Sequence, residues 1–308
     1  MNLTFEEAAN GYYKFINLKL KQSSYRNVKN RIKNHILPFF NKKNIYDLTM
    51  FDFMSWQEYI NNKNLKFKYK STLFTCFVTF LNFCMKFYDL KENVASKVGN
   101  FKNNEVDEIG NIWSIEEYKQ FISCVDNKIY RTLFDFLFFS GCRMGEVLAL
   151  TFNDIDNNII SINKTTTRFF KDNKRITTLP KTKKSIRKIS IDNLLKNEIL
   201  DLRDYYITKF SDFNNNFYIF GGNKSIPPTT LTRKKDYYCD ISGVKRIKIH
   251  EFRHSHACLL FKNNVPIDEI SSRLGHSKLS VTMDIYLRYM PTNEKRVLDT
   301  LNSLRRIT

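Results

Sequence analysis

Residues 250–286 read HEFRHSHACLLFKNNVPIDEISSRLGHSKLSVTMDIY, a stretch that sets histidines, arginines and a tyrosine along three short predicted helices. His250 and Arg253 are three residues apart, so one helix face carries both toward a common ligand. Ile249, Phe252, His256, Leu259 and Leu260 supply the buried side of that helix. Pro266 opens the next helix and Gly275 closes it, which puts His276 just past a helix C-terminus where the chain turns. Ser280 is read as the cap of a last helix carrying Tyr286 and Tyr289.

A second motif lies upstream in TLFDFLFFSGCRMGEVLALTFNDID, residues 132–156. The apolar helix through Leu133 and Phe139 breaks at Gly141, and Arg143 then opens a new helix beside helix-terminal N–H groups, a setting suited to phosphate. Glu146 and Asp154 either orient that arginine or close the fold. HxxR, then LGH, then a tyrosine ten residues on, preceded by GxRxGEvlaL, resembles the signature of the tyrosine recombinases, or phage-type integrases.

That resemblance implies DNA strand cutting and rejoining through a 3′-phosphotyrosyl link, without metal, ATP or any other cofactor. By the same resemblance Arg143 and Arg253 are the catalytic arginines, His250 and His276 the flanking histidines, and Tyr286 the nucleophile. A lysine on the hairpin PKTKKS serves as general acid; Lys181 fits best, with Lys183 and Lys184 close enough to be confused with it. The implied partners are double-stranded DNA with paired sites, a homotetramer on DNA that is a monomer when free, and an accessory bending or directionality factor. Integration, excision and dimer resolution all stay open. Many integrases of mobile elements begin with a small arm-binding domain, whereas this chain opens in what resembles the core-binding bundle. It therefore reads as a simpler recombinase or as a chain lacking that domain.

His250-Glu251-Phe252-Arg253-His254 also fits HExxH, the helical zinc site of metalloproteases. The motif is short and recurs by chance, and it needs a third ligand for which only His276 and Glu269 are near. It also leaves the basic charge unexplained. A type IB topoisomerase would share the tyrosine chemistry, and a non-catalytic DNA-binding relative would share the charge without needing all six residues.

Net charge is +19 over 308 residues, which makes a polyanion the default partner. Residues 1–103 hold 17 Lys and Arg against 7 Asp and Glu, so the smaller part of the chain is the more basic per residue. Six cysteines without a CxxC pair read as free thiols in a reducing compartment, and no apolar run is long enough for a membrane span. The expected location is cytoplasmic, bacterial in type and associated with the nucleoid.

The predicted fold is mainly α: a four-helix DNA-binding bundle over 1–94, a linker over 95–112, and a mostly helical α/β catalytic domain with a small antiparallel sheet over 113–308. Capping boxes at Thr4 and Thr49 open the first and third helices of the bundle, which end near Leu20 and Ile60. The second runs from Ser24 to a stop near Pro38, and the fourth from Lys66 to Tyr88. Ser114 caps the first helix of the larger part. IISINK, RITTLP and IRKISI, between Ile159 and Ile191, alternate as strands. Helix returns over 193–211, YIFG at 218–221 reads as a short strand, and another helix follows the paired prolines 227 and 228. Val297, Leu298, Leu301 and Leu304 give the tail an apolar side. Arg26, Lys29, Arg31, Lys33, Lys66, Lys68 and Lys70 in the bundle are candidate phosphate contacts. Lys183, Lys184, Arg233, Lys234, Lys235, Lys245, Arg246 and Lys248 form a basic approach to the site.

Overall fold

The Thr4 hydroxyl accepts from the Glu7 N–H at 3.2 Å and the Glu7 carboxylate from the Thr4 N–H at 2.9 Å, a reciprocal cap that starts helix α1 (Phe5–Lys19). The computed structural model describes residues 2–40, 42–103, 111–171, 174–180, 183–289 and 294–305, in two units, Met1–Asp107 and Glu108–Thr308.

In the first unit α2 (Gln22–Arg31) runs through a π turn at Ile32–Ile36 into α3 (Leu37–Phe40), so the helix does not stop at Pro38. A proline inside a helix lacks an N–H and crowds the carbonyl four residues back. The π turn, in which the Leu37 N–H reaches back to Ile32 O, widens the helix just before that crowding would arise. Helices α4 (Met50–Asn61), α5 (Phe67–Phe87) and α6 (Val94–Val98) complete the bundle, α4 starting from a second capping box between Thr49 and Asp52. Phe5, Phe40, Phe53, Trp56, Phe77 and Phe80 are buried together, with the Trp56 ring 4.9 Å from Phe77 and its indole N–H donating to His35 O at 2.7 Å.

Residues 95–101, placed in the linker by the sequence, pack into this core. Asn93 caps α6 and donates to Val78 O at 3.0 Å, Gln57 donates to Gly99 O at 2.9 Å, and the buried Phe101 ring lies 5.8 Å from Trp56. Two short buried segments, too brief to show periodicity, are enough to tie this stretch down.

The second unit starts at α7 (Ile115–Ser123), capped by Ser114 and Glu117, and α8 (Lys128–Ser140). Leu133, Phe134, Phe136, Leu137 and Phe138 bury α8 on most sides, which fits a helix at the centre of a core. After α9 (Met144–Val147) come the strands β1 (Ile155–Asp156), β2 (Ile159–Ile162), β3 (Thr165–Lys171), β4 (Lys174–Thr178) and β5 (Arg187–Ser190). They form an antiparallel sheet in the order β1-β2-β5 and a separate β3-β4 hairpin. The sequence located β2, β4 and β5, but neither β1, which is two residues long, nor β3, whose TTTRFFK lacks the alternation of a half-buried strand.

The helices α10 (Asn193–Lys209), α11 (Pro228–Ser242), α12 (Ile249–Lys262), α13 (Ile267–Leu274), α14 (Leu279–Tyr289) and α15 (Glu294–Arg305) follow. Tyr218 makes only isolated bridges to Thr151 and Gly222, so YIFG is a turn and not a strand. Helix α14 starts at Leu279, one residue before Ser280, which is therefore inside the helix and does not cap it. Trp113 donates to Ser255 Oγ through its backbone (2.9 Å) and to Lys245 O through its indole (2.8 Å), fixing the entry of the chain to α12. The protein is mainly helical with small antiparallel sheets. Among the described residues no helix is long and apolar enough to cross a membrane.

Gly141 ends α8 with φ +65°, and a Cβ there would come within 2.5 Å of the buried His256 ring and 2.7 Å of Leu274. Gly141→Ala should therefore destabilise the second unit by about 2–4 kcal/mol, from the left-handed backbone and the overpacking together. Thermal unfolding reads this directly; an unchanged melting temperature would show that the turn is not constrained as described.

Candidate active site

Gly141 and Gly275, both left-handed, terminate α8 and α13 and turn the last carbonyls of these helices toward one point. Arg253, on the first turns of α12, fills it. Its side chain is buried, with Nη1 donating to Gly141 O at 2.9 Å and Nη2 to Leu274 O at 2.7 Å. A cation at two helix C-termini is favourably placed, and its remaining N–H groups stay available to a ligand.

Arg143 is the more open arginine, its side chain 36% exposed. Nη1 donates to Glu146 Oε1 at 2.8 Å, and Nη2 lies 3.4 Å from Gly275 O. Arg143 stands at the N-terminus of the single-turn α9, where the sequence placed it, and Glu146 takes its backbone N–H at 3.0 Å. Glu146, 2% exposed, also receives Arg187 Nη2 at 3.1 Å. Asp154 accepts instead from Thr151 and pairs with Lys164 at 2.7 Å, so it closes the fold while Glu146 orients the arginine.

Two guanidinium groups, those of Arg143 and Arg187, thus share one carboxylate. Burial pushes the Glu146 carboxyl up, but Arg187 and Arg143 outweigh it and hold it below the ordinary value. Burial, then the neighbouring Arg143, draws Arg253 down to about 9, which leaves it charged at neutral pH. His276 is pushed down to about 3 by burial and then by Arg253 and Arg143, and His250 is lowered by the same three causes. Both imidazoles are neutral beside a surplus of positive charge.

His276 follows Gly275 at the rim, with Nδ1 2.7 Å from the Thr282 hydroxyl. The His250 ring stands 4.8 Å from that of His254, whose Nδ1 is 3.5 Å from the Tyr289 hydroxyl. Glu251, the would-be base of HExxH, instead accepts the Lys248 N–H as the cap of α12. His256 is a core residue: its Nδ1–H donates to Phe138 O at 2.9 Å, and its Nε2 accepts from Arg273 at 3.1 Å.

The structure therefore gathers Arg143, Arg253, His250 and His276. Tyr286 is on the adjacent helix α14, 39% exposed, with its ring edge-on to Phe261 at 5.1 Å. Among the described residues its hydroxyl has no hydrogen-bond partner. Lys181 lies outside the described residues. Lys183 begins a 3-10 turn, Lys183–Ser185, and Lys184 Nζ donates to Ser277 O at 3.2 Å beside His276.

Among the proposed phosphate contacts, Arg26, Lys29, Lys33, Lys66, Lys68, Arg233 and Lys234 are exposed, and Arg31 and Lys70 partly so. Lys245 pairs with Glu117 at 3.0 Å, Arg246 grips Asp240, and exposed Lys248 caps α12 through its backbone. Lys235 is a correction: it is 3% exposed, donates to Ile247 O and pairs with Asp236, because it falls on the inner face of α11. The sequence reading missed Arg187, Arg273 and Thr282. Only Arg187 carried a signal, as a basic residue at the head of a strand close to the lysine hairpin.

The model of the phage integrase family matches residues 111–292, and that of the phage integrase N-terminal SAM-like domain matches residues 4–63. The ICEBs1 integrase of Bacillus subtilis is 29% identical over 292 residues, covering 92% of this chain and 78% of that protein. A tyrosine recombinase XerC-like protein of Caldanaerobacter subterraneus is 30% identical over 214 residues, 62% of this chain and 54% of its own. Among solved structures, the Tn1549 transposon integrase in complex with transposon right end DNA superposes with a TM-score of 0.76 at 15% identity, over 98% of this chain and 100% of that one. A lambda integrase dimer bound to a COC′ core site gives 0.73 at 14% identity, over 94% and 98%. At such identities these structures speak to the fold.

Because its carboxyl is held low in the folded state, Glu146 stabilises the second unit above about pH 4.5, the ordinary value, and that contribution disappears as pH falls through the lower folded value. Glu146→Gln leaves the buried Arg187 guanidinium and the more open Arg143 without their carboxylate and should lose about 3 kcal/mol at pH 7. In urea unfolding the deficit should shrink steadily below pH 4.5; an equal deficit at both extremes would mean the carboxylate charge is not what matters.

Proposed function

Because the chain belongs to the phage integrase family, we propose that it is a tyrosine-type site-specific recombinase that cuts and rejoins duplex DNA. The observation that carries the reading is the convergence of Arg143 and Arg253 on one point, with neutral His250 and His276 beside them.

A phosphodiester resists attack because its oxygens share a negative charge, so catalysis needs donors that bind the trigonal-bipyramidal transition state more strongly than the ground state. Arg143 and Arg253 bind the non-bridging oxygens. His276 adds a further hydrogen bond. Tyr286 attacks phosphorus; the bond from its oxygen forms as the bond to the 5′ oxygen breaks, and the tyrosine proton passes to His250. Lys181 gives a proton to the departing 5′ oxygen. The 3′-phosphotyrosyl ester stores the energy of the broken link, and a 5′-hydroxyl from another strand reverses the step. Cationic side chains and a protein nucleophile supply what the reaction requires, so the enzyme works without added metal or ATP.

Exposed basic residues of the first unit, Arg26, Lys29, Lys33, Lys66 and Lys68, support phosphate contacts by that unit, with an affinity that falls as salt rises. Paired sites, a homotetramer on DNA and an accessory bending or directionality factor belong to the same reading. Mobile-element integration and excision is favoured by the ICEBs1 integrase, which matches over nearly the whole chain, while the XerC-like relative keeps dimer resolution as a second reading. A topoisomerase would relax supercoils without exchanging strands between sites.

The test is incubation with supercoiled DNA carrying the flanking sequences of the element, in EDTA, followed by an SDS quench. Protein should be found on a 3′ end, and Tyr286→Phe should abolish it while DNA binding persists. Adduct surviving in Tyr286→Phe moves the nucleophile to Tyr289, whose hydroxyl burial holds above the ordinary tyrosine value. No adduct with any DNA would leave a binding relative.

The general acid can be assigned separately. Alanine at Lys181 should slow cleavage by about 10²–10⁴ on normal DNA and far less on DNA with a 5′-bridging sulfur, which departs without a proton. If the sulfur rescues Lys183→Ala or Lys184→Ala instead, the role moves to that lysine.

A further inference from the structure

Thr282 has no exposed surface, and its hydroxyl oxygen lies 2.7 Å from His276 Nδ1. A hydroxyl has one hydrogen to place. In Thr72, Thr75, Thr79 and Thr232 that hydrogen goes to the helix carbonyl four residues back. Thr282 makes no such bond, and among the described residues Nδ1 is the sole partner of its hydroxyl. If Nδ1 were the protonated nitrogen and donated, the threonine hydrogen would be buried without an acceptor, an arrangement disfavoured by the desolvation of that group. The reverse direction satisfies both groups.

We propose that Thr282 is a positioning residue: its hydroxyl donates to Nδ1 of His276 and so fixes the tautomer that presents Nε2–H to a phosphate oxygen. The inference rests on His276 being a phosphate donor, as read above. Burial and the neighbouring arginines keep the ring neutral, so it holds a single ring proton, and Nε2 has no other partner among the described residues. Fixing the tautomer matters because a bare Nε2 would turn a lone pair toward a phosphate anion. Thr282 also stands one turn before Tyr286 on α14, so the helix that carries the nucleophile sets the proton on His276.

The tautomer can be read in the full chain by ¹⁵N resonances of the imidazoles, which number five. His276 should show a protonated Nε2 and a bare Nδ1, with that preference lost in Thr282→Val. A parent protein with the proton on Nδ1 overturns the proposal whatever the kinetics. In the covalent-adduct assay, Thr282→Val should slow cleavage about tenfold to a hundredfold, the usual effect of removing a group that orients another, and Thr282→Ser should restore most of the rate. In a His276→Ala background Thr282→Val should add nothing. If it slows that background by the same factor, Thr282 acts through packing and the positioning role falls. If the tautomer is as stated but His276→Ala cleaves at the parent rate, His276 is no phosphate donor, which removes the positioning role while leaving the recombinase reading to the Tyr286 test.

Discussion

A guanidinium buried between two helix ends is the constraint on which the second unit depends. Arg253 could not be enclosed without partners for its charge, and it finds them in the Gly141 and Leu274 carbonyls, the negative ends of α8 and α13. Those carbonyls are available because each helix finishes on a left-handed glycine. Fixing the two ends also fixes the residues just beyond them, Arg143 after Gly141 and His276 after Gly275. One enclosed side chain thereby sets the spacing of the rest of the cleft.

The charge in that cleft is deliberately unbalanced in its effect. Glu146 is shared between Arg143 and Arg187, so it anchors their geometry without cancelling the positive charge of three arginines. The surplus has two consequences: it suits a phosphate, and it adds to burial, the larger cause, in suppressing protonation of the nearby histidines. His276 and His250 are then hydrogen-bonding groups with one proton each, and their usefulness is decided by which nitrogen holds it. Arg187 adds rigidity, since its other donors go to the Arg273 and Ser185 carbonyls.

The first unit solves a different problem. Interlocked aromatic rings carry its core, from Phe5 on Phe40 to Trp56 on Phe77, so its surface can be crowded with lysine and arginine at little cost to packing. Where a cation does touch the body of the unit it often lies over a ring, as Lys29 does over Tyr13.

The sequence by itself determined the helical class, the capped starts at Thr4, Thr49 and Ser114, and the order of Arg143, His250, Arg253, His276 and Tyr286. These are properties of spacing, caps and glycine stops, which act over a few residues. It also placed Lys235 among phosphate contacts and ended a helix at Pro38, because charge and proline carry their usual meaning only until burial or a π turn changes it. Tertiary structure alone decided that Glu146 holds Arg143, that Arg187 stands behind it, that Asp154 turns away, and that the Thr282 hydroxyl meets His276. Those outcomes depend on which donors are enclosed together and must find acceptors, a condition that arises only when distant segments are packed.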